Sequence, residues 1–208
     1  MNSNSWHFIF DFGGVLLDWN PGYLFRKFFN GDAEATQKFL DEIEFYQWNR
    51  FLDVGRPFSE VMELACGKFP QYRELIRAYD TDWEESIAGP IQSNVEILKA
   101  LKEDGYRLYA LSNFSGEKFP IMRQKYDFLD WFDHIILSGD VGLKKPDERI
   151  FHLLLEKTGC NAEECVLIDD SLRNIETARG LGFHTIHFQS SSQLRSELTA
   201  MGIDLPAI

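Results

Sequence analysis

Five short apolar runs constrain this chain more than any other feature: WHFIF (6–10), RLYALS (107–112), HIILS (134–138), CVLID (165–169) and HTIHF (184–188). They carry the marks of strands buried on both faces, as in a parallel sheet. Helical patterns lie between them. NVEILKALKEDG (94–105) sets Val95, Leu98 and Leu101 on one stripe and closes on Gly105, and NIETARGLG (174–182) likewise ends in glycine. Repeated strand–helix–strand units predict an α/β fold, a doubly wound parallel sheet with right-handed crossovers and a Rossmann-like core.

The interval 18–88 breaks this rhythm. It has helical periodicity throughout (YLFRKFF, ATQKFLDEIEFYQW, FSEVMELACGKF, YRELIRAYDTDWEESI), with turn signals at Asn30-Gly31-Asp32, Gly55 and Gly67. Some seventy residues are too many for a simple crossover. The prediction is a helical cap over 18–88, inserted into a core made of 1–17 and 89–208 and lying as a lid over the strand ends. A chain of 208 residues can bury one such core. The lid aromatics Phe45, Tyr46, Trp48 and Phe51 are expected to pack helices together, with a minority reaching a ligand.

Charge and leader signals narrow the partners. With 21 basic against 33 acidic residues, net charge −12, the chain is not built to bind a phosphate backbone, so no nucleic-acid partner is expected. The start MNSNSW has no basic region leading into a long apolar stretch, and no apolar run approaches the roughly 18 residues that span a bilayer. The expectation is a soluble cytoplasmic protein that contacts no membrane. Cys66, Cys160 and Cys165 read as reduced thiols, Cys165 as a packing residue. The sequence carries no signal for oligomeric state.

In an open α/β sheet, ligands bind outside the carboxyl ends of the strands, so each run is read at its exit. The first exits at Asp11 and the second at Ser112-Asn113. The third leads through SGDVG to Lys144-Lys145-Pro146, and the fourth ends in Asp169-Asp170. Taken singly, each residue has a plain reading: an Asp or Ser after a strand is usually a turn former or helix cap. Two adjacent carboxylates facing a third, however, repel unless a cation lies between them.

Taken in order, FDFGGV, LSN, GLKKPDERIF and VLIDDSLRNIETARGLG resemble the four motifs of the haloacid dehalogenase-like hydrolase superfamily, and the resemblance covers nearly the whole chain. The helical insertion is similar to that family's small α-helical cap. The resemblance implies that Asp11 is a nucleophile forming an aspartyl-phosphate. It implies Mg²⁺ as cofactor, held by Asp11, Asp170 and the Gly13 carbonyl, with Asp169 as an occasional ligand. Phosphate would be held by Ser112, Asn113 and Lys145 and by the N–H groups of Phe12, Gly13, Gly14 and Asn113. Lys145 would neutralise both phosphate and Asp11, leaving Lys144 as a solvated surface charge, and Asn174 would bond a metal-bound water. The implied activity is a magnesium-dependent phosphatase acting on a small phosphorylated metabolite.

One position departs from the pattern. Most phosphatases of this superfamily read Asp-x-Asp, the second Asp protonating the leaving group; here Gly13 stands there. A positioned general acid contributes ~10²–10⁴-fold, so the lack matters. Asp18 and Asp53, the latter with Arg56 as a further lid residue, are the nearest replacements. An Asp-x-Gly subgroup resembling α-glucose-1-phosphatase implies a sugar phosphate substrate. Two other readings share the lone Asp: a 2-haloacid dehalogenase, which needs no metal, and a catalytically impaired member that binds a phosphorylated ligand.

Overall fold

The computed structural model describes residues 6–206. After β1 (His7–Phe10) the chain passes through β2 (Leu17–Trp19) into α1 (Pro21–Phe25), α2 (Ala33–Glu42), α3 (Phe45–Leu52), α4 (Phe58–Lys68) and α5 (Arg73–Thr81), and returns through β3 (Ile87–Pro90). Then follow α6 (Gln92–Glu103), β4 (Arg107–Ser112), α7 (Phe119–Lys125), β5 (His134–Leu137), α8 (Ser138–Val141), α9 (Glu148–Thr158), β6 (Cys165–Asp169), α10 (Leu172–Gly180), β7 (His184–His187) and α11 (Ser191–Ala200). This is the α/β architecture the apolar runs predict.

β1 is central in a parallel sheet ordered β5-β4-β1-β6-β7, with Phe10 in register with Ala110 on one side and Ile168 on the other. Successive side chains of a strand point to opposite faces, and both faces are filled. Phe8 and Phe10 join Val95, Leu98 and Leu101 of α6 and Leu194 and Leu198 of α11. Ile9 joins Phe151 and Leu154 of α9 and Ile175 and Ala178 of α10. Burial on both faces explains why these strands read as continuous apolar runs.

Two strands escaped the sequence reading. β2 and β3 pair antiparallel, Leu17 opposite Pro90 and Trp19 opposite Ile87, so the chain leaves for the insertion and returns along one two-stranded stem. LDW and IAGP are too short to show alternation, and Gly and Pro are depleted in strands.

The insertion has its own aromatic core around Tyr79, whose ring lies 4.9 Å from Phe45, 5.6 Å from Trp48 and 5.9 Å from Phe58. Phe45 and Trp48 are thus packing residues, whereas Tyr46 and Phe51 are exposed. The insertion is tied to the β4–α7 connection by the Phe58 N–H, which donates to Glu117 Oε2 at 3.0 Å, and by Lys118, whose ammonium donates to the Asp80 carbonyl at 2.9 Å. Among the described residues no helix is long and apolar enough to cross a membrane. Cys66, Cys160 and Cys165 are free thiols.

Candidate active site

β1, β4 and β6 end side by side, and the residues leaving them converge. Asp11 continues β1 by one step, its N–H donating to the Ile168 carbonyl at 3.0 Å. Its Oδ1 accepts from Ser112 Oγ at 2.7 Å and from the Phe12 N–H at 2.8 Å, and its Oδ2 pairs with Lys145 Nζ at 2.9 Å. Lys145 has a fully buried side chain and also donates to Asp169 Oδ2 at 2.6 Å. Asp169 accepts in addition from the Ser171 N–H at 2.9 Å and from Asn174 Nδ2 at 2.9 and 3.1 Å.

One ammonium therefore bridges two buried carboxylates. Burial pushes the Asp11 carboxyl up to about 6, Asp169 adding to the rise and Lys145 opposing it. Burial alone would lower Lys145, but the two carboxylates outweigh it and raise that ammonium above its usual range. Asp170 brings a third carboxylate: oxygens of Asp11, Asp169 and Asp170 all lie within 4.8 Å of one another. Asp170 is raised by burial and by the neighbouring Asp169 charge. Three carboxylates around one lysine leave the site short of positive charge.

The loop after β1 closes over Asp170. Gly14 has φ +74°, a conformation that favours glycine, and a Cβ there would displace the Asp170 carboxylate. At Gly13, by contrast, a Cβ would meet nothing within 4 Å. The Gly14 N–H donates to the Leu17 carbonyl at 2.9 Å and that of Phe12 to Asp11, so neither of these two expected phosphate donors is free.

Other side chains of the region have partners within the protein. Asn113 braces the lysine loop in both directions: its Nδ2 donates to the Lys145 carbonyl at 2.9 Å, and the Lys145 N–H donates to its Oδ1 at 2.8 Å. Asn174 lines the cleft and its Nδ2 donates to Asp169. Lys144, expected as a surface charge, lies 3.6 Å from Asp53 Oδ2 with only 29% of its side chain exposed. Arg56 stands apart from the cleft, exposed, 3.9 Å from Glu60 and 5.3 Å above the Phe51 ring; Arg50 lines the cleft instead. Asp18 accepts from the Tyr23 hydroxyl at 3.0 Å.

Above the carboxylates opens a cleft of about 820 Å³. Asp11, Gly13, Asn113, Lys145 and Asp170 form its floor, while the insertion and stem contribute Trp19, Tyr46, Leu52, Asp53, Phe58 and Tyr79. Burial, opposed by Lys144 and then Arg50, pushes the Asp53 carboxyl up to about 6.

Residues 7–182 match the family model described as haloacid dehalogenase-like hydrolase. The drimenol cyclase of Aspergillus calidoustus is 33% identical over 202 residues, 92% of this chain, which spans 35% of that protein's length. The sesquiterpene phosphatase of Aspergillus oryzae is 26% identical over 206 residues, 91% of this chain and 93% of that one. A haloacid dehalogenase-family enzyme of Bacteroides thetaiotaomicron, solved with magnesium and inorganic phosphate, shares the fold: TM-score 0.68, 24% identity, 88% of this chain and 94% of that one.

Proposed function

The chain belongs to the haloacid dehalogenase-like hydrolases, and on that premise we propose that it hydrolyses phosphate monoesters through an aspartyl-phosphate on Asp11. One observation carries this reading: three strand-exit carboxylates with oxygens within 4.8 Å of one another, served by one buried lysine. A dehalogenase site has no use for that much negative charge, whereas a site that recruits a divalent cation does.

The donor set fits magnesium. Mg²⁺ takes oxygen ligands at about 2.0–2.1 Å, so ligands on opposite sides stand about 4 Å apart, a span within reach of these carboxylates. Asp11, Asp170 and the Gly13 carbonyl are the proposed ligands; Asp169 is the third carboxylate in reach, though Lys145, Ser171 and Asn174 engage its oxygens. When bound, the ion would offset the repulsion between a dianionic ester and Asp11, and the magnesium in the bacterial neighbour supports the choice.

In the first step an Asp11 oxygen bonds to phosphorus and the bond to the alcohol oxygen breaks. In the second, water attacks the same phosphorus and frees Asp11. Lys145 neutralises the phosphoryl oxygens, and the N–H groups of Gly13 and Asn113 donate to them. Ser112, whose hydroxyl holds Asp11, fixes the carboxylate until substrate arrives, then turns to the phosphate. Residues 18–88 act as the cap over a core of 1–17 and 89–208. The aromatic wall of Trp19, Tyr46, Phe58, Tyr79, Trp83 and Phe114 supports an alcohol with a largely apolar skeleton, in keeping with the sesquiterpene phosphatase among the relatives. The free thiols fit a reducing cytoplasm, and the net charge of −12 disfavours nucleic acid as a partner.

The test is hydrolysis of p-nitrophenyl phosphate with Mg²⁺ and with EDTA, together with acid-quench trapping of the phosphoenzyme. Wild type should form a hydroxylamine-labile phosphoenzyme and Asp11→Asn none; turnover indifferent to EDTA would overturn the reading. For the substrate class, farnesyl phosphate should exceed ribitol 5-phosphate in kcat/KM, and the reverse order would reject the apolar skeleton.

A further inference from the structure

Gly13 leaves this chain without a proton donor at that position, and the cleft contains one unassigned carboxylate. We propose that Asp53, presented by the insertion on the loop between α3 and α4 and held by Lys144, is the general acid and base of the reaction. This rests on the phosphate-ester hydrolase reading and adds a residue to it.

Placement supports the role. Asp53 and Asp11 line the same cleft, and consecutive residues of one loop grip them: Lys144 lies 3.6 Å from Asp53, Lys145 2.9 Å from Asp11. The Asp53 loop is seated on the core at α8 rather than free above it. Gly55 has φ +86° and packs so closely on the Gly139 carbonyl that any Cβ there would collide. Just beyond, Phe58 is anchored by its N–H to Glu117, with Lys118 Nζ 4.3 Å from its ring centre. The place where a second motif carboxylate would stand is open, since a Cβ on Gly13 meets nothing within 4 Å. Gly13 and Asp53 line the same cleft.

The chemistry balances. In the first displacement the Asp53 carboxyl gives its proton to the departing alcohol oxygen as that oxygen leaves phosphorus, and Asp53 becomes a carboxylate. In the second, this carboxylate takes a proton from the attacking water, whose oxygen bonds to phosphorus, and the protonated acid is restored. The charged and titratable groups around Asp53 are Lys144 from the β5–α9 connection, Arg50 from α3 and the Tyr79 hydroxyl from α5. Burial wins over the two cations and holds the acid near 6, so a protonated fraction persists toward neutral pH. Tyr79 is raised far above its usual range by burial and donates to Asn49 Oδ1 at 3.0 Å, which makes it a poor rival.

The experiment compares Asp53→Asn with wild type, with Mg²⁺ present, across substituted phenyl phosphates and n-hexyl phosphate. kcat/KM reports the first displacement. Asp53→Asn should stay within about threefold of wild type on p-nitrophenyl phosphate, whose phenolate leaves unaided, and lose about 10²-fold or more on hexyl phosphate. Wild-type kcat/KM on hexyl phosphate should fall as pH rises through about 6, a limb absent in Asp53→Asn; Lys144→Met, which removes a cation favouring the charged form, should move the limb to higher pH. Equal loss on every substrate would mean a structural role, and no loss on hexyl phosphate would mean no role; either overturns the proposal while leaving the hydrolase reading intact. If wild type cleaves no aryl phosphate, both fall together.

Discussion

Asp11→Asn should abolish turnover and, at the same time, stabilise the metal-free protein. The Asp11 carboxyl is raised from 3.8 to about 6, chiefly by burial, with Lys145 opposing. A group that binds its proton more tightly folded than unfolded favours the folded state below its unfolded value, and loses that contribution as pH rises through the folded one. Here the window runs from about pH 4 to just above 6. At about 1.4 kcal/mol per tenfold change in proton affinity, keeping Asp11 charged above that window costs about 3 kcal/mol. Asparagine presents the neutral shape at every pH. Its Oδ1 keeps the Ser112 and Phe12 donors, but its amide N–H faces Lys145 Nζ and forfeits about 1 kcal/mol. The net gain above pH 7 is about 2 kcal/mol, or a Tm rise of about 4–8 °C for a chain of this size. Urea unfolding in EDTA measures it: the variant should be the more stable at pH 7.5, with the advantage gone by pH 4.5. Saturating Mg²⁺ should restore wild type's position, since a ligand that prefers the charged site stabilises the protein carrying it. A variant less stable than wild type at pH 7.5 in EDTA, or a gap that ignores pH, refutes the reasoning.

Asp170→Ala should weaken Mg²⁺ binding, read by calorimetry, and slow p-nitrophenyl phosphate hydrolysis by roughly a hundredfold or more; unchanged Mg²⁺ affinity would remove Asp170 from the ligand set. Gly14→Ala puts a side chain in left-handed backbone and into the Asp170 carboxylate, so the unfolding free energy should drop by about 1–3 kcal/mol and Mg²⁺ affinity should fall with it. Gly13→Asp has open space for its side chain but brings a fourth carboxylate toward Asp11, Asp169 and Asp170, so in EDTA at pH 7.5 it should lower the unfolding midpoint, and Mg²⁺ should narrow the gap. Built into Asp53→Asn, it should recover hexyl phosphate hydrolysis, and no recovery would mean the open space lies on the wrong side of the scissile bond.

The sheet and its exits were legible because strands buried on both faces need near-continuous apolar runs, and a polar residue ending such a run marks the exit. Asp11, Ser112, Lys145 and Asp169, some 160 residues apart at the extremes, meet within bonding distance for that reason. What was not legible depends on contacts between distant loops. The stem of β2 and β3 is too short to show a period. The N–H groups of Phe12 and Gly14 are used inside their own turn, which residue types do not reveal. The pairing of Lys144 with Asp53 joins residues some ninety positions apart, on a lid loop that lies on Gly139. Its one trace in the sequence, Gly55, reads as an ordinary turn signal.

Charge density gives a reason for the acid to sit on the lid. With Asp11, Asp169 and Asp170 sharing Lys145, a further carboxylate at position 13 would raise Asp11 still more and weaken it as an anionic nucleophile at neutral pH. Carried on the insertion, the acid has a cation of its own, Lys144, and does not compete for Lys145. Burial under the lid, with Leu52 and Tyr79 beside it, keeps its proton affinity high although that cation is close. Nucleophile and acid can then be tuned separately: Asp11 by the sheet, Asp53 by the fit of the lid loop on Gly139. On this proposal proton transfer depends on the close fit of Gly55 on the Gly139 carbonyl, because the loop so seated carries Asp53, whose proton affinity is raised by burial.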